Sequence, residues 1–209
     1  EEAGEKEDPT KTGGILERLQ MVHQFMQWAG KGYFGKVNRE DIVYISHRWL
    51  REEQKPAHPD DSSNSKLHSL QKFAQSHPEW KYFWIDYLCM PQSTGKTVDK
   101  ENAILSLPYY INSCGTVVLF CGQNAKTKFD AYKASGWCKL EQIALLCSVK
   151  GQDEAERRVV ETKALLYDQD QESLVDFNPE DLLGEGTLNP LLEGDFMEAR
   201  DRQTILPCL

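Results

Sequence analysis

Residues 42–49 read Ile42-Val43-Tyr44-Ile45-Ser46-His47-Arg48-Trp49. Four β-branched or aromatic side chains stand in an unbroken run, and a polar segment follows at once. Continuous rather than alternating hydrophobicity marks a strand covered on both faces, as in a parallel sheet flanked by helices. Such a strand delivers its last side chains to the carboxyl edge of the sheet, where open α/β folds bind ligands.

Three further runs of the same kind follow: Tyr82–Asp86 (YFWID), Thr116–Phe120 (TVVLF) and Lys163–Tyr167 (KALLY). Helix-compatible stretches lie between them, at about Lys66–Ser76, Glu101–Ser113 and Trp137–Lys150. Strands that alternate with helices imply βαβ units and a doubly wound α/β domain.

Farther out, residues 1–13 are charged, punctuated by Gly and Pro, and aperiodic, which reads as a linker or tail. Ile15, Leu16, Leu19, Val22, Phe25 and Met26 recur at helical spacing and predict a leading helix over 14–30. Residues 51–65 form a polar, turn-rich insertion after the first strand, and 168–188 an acidic, irregular connection. A closing helix is expected over Leu191–Ile205. The organisation is thus one domain over 14–209, with its core at about 40–170 and a connection plus closing helix over 171–209. Because the chain opens at Glu1 rather than Met, it is expected to be a piece of a longer protein.

Composition narrows the function. The 209 residues carry 24 Lys and Arg against 33 Asp and Glu, a formal charge of -9, and the basic residues form no stripe. A protein that neutralises a phosphate backbone needs such a footprint, so no nucleic-acid partner is expected. No apolar run approaches the roughly 20 residues of a membrane-spanning helix, so no membrane partner is expected either. Cys89, Cys114, Cys121, Cys138, Cys147 and Cys208 mostly sit in apolar runs, without zinc-like spacing. They read as buried, reduced thiols of a cytoplasmic protein, and no metal site is expected.

The candidate site is drawn from the strand ends. The first strand ends in Ser46, His47, Arg48 and Trp49, and the second in Asp86 and Tyr87. The loop after the third leads through Tyr132 and Ser135 to a helix opening Trp137-Cys138-Lys139-Leu140-Glu141. Trp137 and Glu141 are four apart and share a helix face. The apolar stripe of that helix is Leu140, Ile143, Ala144 and Cys147, which puts Glu141 at its border. Each residue also has a plainer reading. Glu141 can be a solvated helix residue, Trp137 a core anchor, Asp86 a cap for the turn after it, and Arg48 a partner of Glu52 or Glu53. The segment Thr94-Gly95-Lys96-Thr97 lacks the earlier glycine and the preceding strand of a phosphate-binding loop.

In order and spacing these motifs resemble the Toll/interleukin-1 receptor (TIR) domain family. IVYISHRW resembles its first strand with the strand-end Ser, and YFWID its second. AILSLPYYINSCGTVVLF is similar to its helix and third strand, SGWCKLEQIALL to its "S.WC..EL" segment, and ALLYDQD to its fourth strand. The segment CMPQSTGKT stands where the family commonly has an Arg-Gly-containing loop. The resemblance implies a three-layer, flavodoxin-like parallel sheet, here with an N-terminal helical extension. It also implies cleavage of NAD at the nicotinamide–ribose bond, with NAD as substrate and no separate cofactor.

Within that resemblance Glu141 matches the catalytic Glu, and Ser46, Arg48, Trp49, Asp86, Tyr87 and Trp137 line the substrate. One carboxylate suffices for this chemistry, since the pyridinium leaves as a neutral base without protonation, whereas ordinary O-glycosidases need two. The resemblance also implies self-association, or association with other TIR-like domains, within an intracellular signalling or defence protein. The alternative it leaves open is a non-catalytic interaction module. A third reading is a nucleoside-processing enzyme of flavodoxin-like fold.

Overall fold

The computed structural model describes residues 37–50, 58–90, 102–121, 125–148, 151–153, 158–160, 162–177 and 203. The leading helix, the 1–13 tail, residues 51–57 of the insertion, the 91–97 loop and nearly all of the closing segment lie outside these residues.

The strand over which the sequence was most explicit, β1 (Ile42–Ser46), is buried along its whole length. It runs parallel to β2 (Tyr82–Trp84) on one side and β3 (Thr116–Phe120) on the other. β3 in turn pairs in parallel with a fourth long strand, Lys163–Asp168. Between these two, Gly151–Asp153 (β4) and Arg158–Val160 (β5) form a separate antiparallel pair, so the fourth long strand is β6. The sheet order is β2-β1-β3-β6, completed by β7 (Ser173–Asp176), which returns antiparallel to β6.

Two expectations of the sequence reading need correction here. The 168–188 stretch is not irregular throughout, because its first part is a β-hairpin. Asp168 Oδ1 accepts from the Asp170 and Gln171 amides at 3.0 and 3.1 Å, and Glu172 takes φ 48. An Asp that bonds the amides two and three residues on is the chemistry of a tight turn, here returning the chain beside β6. Second, Tyr132 does not lie in a loop, since residues 125–134 form a helix.

The helices described from end to end are α1 (Ser65–Ser76), the single turn α2 (Asp86–Cys89), α3 (Leu107–Asn112), α4 (Ala125–Ala134) and α5 (Gly136–Ser148), and residues 102–105 are also helical. They divide between the two faces of the sheet. Val43, Ile45, Phe83, Val118, Phe120, Leu165 and Tyr167 meet Phe73 and Ala74 of α1 on one face. Ile42, Tyr44, Trp84, Val117 and Leu119 meet Leu107 and Ile111 of α3 and Cys138, Leu140, Ala144 and Leu145 of α5 on the other. The alternation of β1 side chains between two cores is the direct result of the two-residue period of a strand. The architecture is therefore a three-layer α/β sandwich around a mostly parallel sheet.

The α1 face is aromatic. The fully buried Phe73 ring lies 4.9 Å from Tyr167, 5.6 Å from Trp80, 6.1 Å from Phe120 and 6.2 Å from Phe83. Asp60 and Asp61 hold the start of α1. The Asp60 carboxylate accepts the Lys66 and Leu67 amides at 2.9 and 2.8 Å, and Asp61 Oδ1 accepts the Ser65 amide at 3.1 Å. These contacts satisfy amides that the first turn of a helix leaves open. At the far end of the sheet, Gly115 is required for contact. Its amide donates to the Arg39 carbonyl at 2.8 Å, and a Cβ there would meet that same oxygen at 2.8 Å.

Candidate functional site

Strand order places neighbouring connections on opposite sides of β1: the chain leaves β1 for β2, then crosses back to β3 on the other side. In open α/β sheets this divergence leaves a crevice at the carboxyl ends. Ser46, the last residue of β1, stands there, and two carboxyl groups flank it.

The first is Glu141, in the second turn of α5. Only 9% of the residue is exposed. Tyr44 Oη donates to Oε1 at 2.6 Å, and Ser46 Oγ bonds to Oε2. Ser46 Oγ in turn shares a hydrogen bond with Tyr132 Oη of α4. Tyr44 and Ser46 are two apart on one strand and so point to the same face, towards α5. The Tyr44 ring is fixed by stacking on Trp84 at 4.5 Å. Burial pushes the Glu141 carboxyl up to about 8; the Ser46 and Tyr44 hydrogen bonds oppose that rise, and the negative charge of Asp86 adds to it. Burial likewise raises the Tyr44, Tyr132 and Cys138 groups around it.

The second is Asp86, the first residue of α2, whose side chain is 26% exposed. Oδ1 accepts His47 Nε2–H at 2.9 Å and the Tyr87 amide at 2.5 Å, and Oδ2 accepts the indole Nε1–H of Trp49 at 2.8 Å. Burial works to raise this carboxyl, but attraction to His47 and the hydrogen bonds from His47, Trp49 and Tyr87 outweigh it, so it stays below its ordinary value. Behind His47 lies Lys66 of α1, itself buried, with Nζ 3.0 Å from His47 Nδ1. Nζ also donates to the carbonyls of Pro59, at 2.7 Å, and Arg48. With Nζ donating to Nδ1, the imidazole presents Nε2–H to Asp86.

The sequence-derived residues are thus largely brought together. Ser46 touches Glu141, and Trp49 and Tyr87 gather about Asp86, their rings meeting edge to face at 5.6 Å. His58 adds a third ring, 5.5 Å from Tyr87. Trp137 is half-buried and packs against the α5-side core, so in this structure it is an anchor of the helix that carries Glu141. Arg48 is half-buried next to this cluster in sequence. Its carbonyl serves Lys66, while Glu52 and Glu53 lie outside the described residues.

His47 and Tyr132 stood in the segments from which the candidate site was drawn but were given no role there, and Tyr44 and Lys66 were not singled out at all. Tyr44 was legible in principle, since strand alternation puts it on the Ser46 face. Lys66 carried no signal, because only packing brings α1 to the end of β1. Cys89 is buried, its thiol pushed up to about 12 by burial with a further rise from the charge of Asp86, which leaves it inert. Cys89, Cys114, Cys121 and Cys138 are all free thiols. Among the described residues, no group of three or more His, Cys, Asp or Glu is arranged to hold a metal, and no helix is long and apolar enough to cross a membrane.

No protein-family model matches this chain, and neither a curated protein nor a solved structure matches it.

Proposed function

We propose that this chain is a TIR-like domain with a flavodoxin-like sheet that hydrolyses NAD at the nicotinamide–ribose bond, as part of a larger cytoplasmic signalling or defence protein. One observation carries the reading. Glu141 is a sheltered carboxyl fixed by Tyr44 and Ser46 at the carboxyl end of β1, beside the divergence of the connections.

In this reading the ribose hydroxyls of NAD displace the internal hydroxyls from Glu141. The pyridinium charge of the substrate favours the ionised carboxylate by direct attraction, offsetting the burial that raises it. The carboxylate then stabilises the ribosyl cation as nicotinamide leaves, a fixed charge facing a charge that develops only in the transition state. Trp49, Tyr87 and Trp137 supply aromatic surface for the rings, Arg48 a fork for the pyrophosphate, and Ser46 and Asp86 polar contacts. Self-association, or association with other TIR-like domains, is the expected trigger.

The test is nicotinamide release from NAD by the concentrated protein, compared with Glu141→Ala. A loss of roughly 100-fold or more in the variant is expected. Absence of release from the folded protein at every concentration would reject the activity. A second reading, a non-catalytic docking module, is favoured by the same burial, since both Glu141 oxygens already hold internal hydroxyls. It predicts no NAD cleavage and no rise in Tm with NAD, whereas a binder is stabilised by mass action.

A further inference from the structure

The two carboxyl groups at the end of β1 have opposite hydrogen-bond surroundings. Asp86 is met by His47 Nε2–H, Trp49 Nε1–H and the Tyr87 amide, all of which only donate to it. A protonated Asp86 would set an O–H against those donors, so this pocket holds an anion. Glu141 is met by side-chain hydroxyls, those of Tyr44 and Ser46, with Tyr132 behind Ser46. A hydroxyl both gives and accepts. Ser46 can accept a proton from Oε2 while giving its own to Tyr132, so this pocket accommodates the neutral acid. The two surroundings join through consecutive residues, Ser46 facing one carboxyl and His47 the other.

We propose that Glu141 and Asp86 divide the roles of acid and anion, so that this cleft also hydrolyses uncharged N-ribosides, specifically purine nucleosides. The proposal rests on the reading of the cleft as an N-ribosyl site and extends it to a leaving group that NAD does not require. A purine leaves far more readily once a ring nitrogen is protonated, and a carboxylic acid beside the base supplies that proton. The bond between the anomeric carbon and the base nitrogen breaks, and its electron pair goes to the purine. The Glu141 proton passes to the purine ring, and the carboxylate left behind faces the ribosyl cation together with Asp86. Water adds its oxygen to the anomeric carbon and returns a proton to Glu141. The balance is nucleoside plus water giving ribose plus free base. Environments that push two neighbouring titrating groups apart are the usual mark of such a division, and burial of Glu141 against the donor-stabilised Asp86 does so here. The groups that face Glu141 are Tyr44 of β1, Tyr132 of α4, Cys138 of α5 and Asp86 of α2. Those on Asp86 are His47, backed by Lys66 of α1, and Trp49.

The experiment incubates the wild-type chain separately with inosine and with NAD across pH 5–9.5 and follows hypoxanthine and nicotinamide. Inosine cleavage is expected to fall above about pH 8, while NAD cleavage does not fall there. Glu141→Gln lowers inosine cleavage roughly 100-fold or more, and Asp86→Asn lowers both activities. Carbon-13 carboxyl titration of the wild-type chain, with these variants for assignment, reads the division without any substrate: Glu141 is expected to be protonated at pH 7 and Asp86 ionised. NAD cleavage without inosine cleavage overturns this proposal and leaves the glycohydrolase reading standing. Inosine cleavage without NAD cleavage does the reverse. Cleavage of neither, or a Glu141 carboxyl already ionised at pH 6, overturns the proposal as well.

Discussion

The two faces of β1 receive side chains from the same five residues and put them to different use. Towards α1, Val43 and Ile45 enter a hydrocarbon core organised around Phe73. Towards α5, Tyr44 and Ser46 enter a core that also encloses a carboxyl group and a second tyrosine hydroxyl. The first face follows from burial of apolar area alone. The second carries buried polar groups that cost stability unless every hydrogen bond is made. A site assembled on the second face is thus supported by the first, across a single strand.

Mutations on opposite sides of β1 break this comparison in different ways. Phe73→Ala empties the centre of the dry face and is expected to cost about 3–5 kcal/mol of stability, read as a drop in urea midpoint. If the faces are independent, the carboxyl titration of Glu141 is unchanged in whatever fraction remains folded. A shift in that titration would show the faces to be coupled.

On the wet face the expected signature is a pH dependence. The Glu141 carboxyl is raised in the folded state from its ordinary 4.5 to about 8. The folded state therefore binds the proton more tightly, and this contribution to stability is complete below about 4.5 and lost as pH rises through about 8. Between pH 6 and 8 wild type is expected to lose on the order of 2 kcal/mol relative to Glu141→Gln, which has no such group. Parallel stability curves for the two proteins over that range would remove the buried acid.

The smallest effect lies outside both cores. Lys72 and Glu172 pair at 3.1 Å with side chains 65% and 55% exposed. Lys72→Ala is expected to change stability by less than about 0.5 kcal/mol, and a larger loss in denaturant titration would mean that this pair fixes the β6–β7 hairpin against α1.

The parallel strands and the helices α1, α3 and α5 were legible because each is a local pattern, whereas the helix over 125–134 was read as a loop. Ile42–Ser46 and Thr116–Phe120 declare burial on two faces by unbroken hydrophobicity, and both stand where that pattern put them. Tyr82–Asp86 was read two residues too long, since Ile85 and Asp86 turn into α2 instead of extending β2. The hairpin ending in β7 was missed because Ser173–Asp176 has no strong β pattern of its own and is held by pairing with β6.

What the sequence determined by itself was the set of buried parallel strands, most of the helices between them though not the one over 125–134, and the polar residues that strand ends deliver to one edge. Those follow from periodicity, which is written in neighbouring residues. Only the tertiary structure decided that Glu141 is enclosed by hydroxyls and Asp86 by N–H donors, and that Lys66 stands behind His47. The groups brought together come from β1 and the residues after it, α1, α2, α4 and α5, up to 97 residues apart in the chain. The protonation of a carboxyl group depends on what folding brings within hydrogen-bond reach, and no local pattern records that.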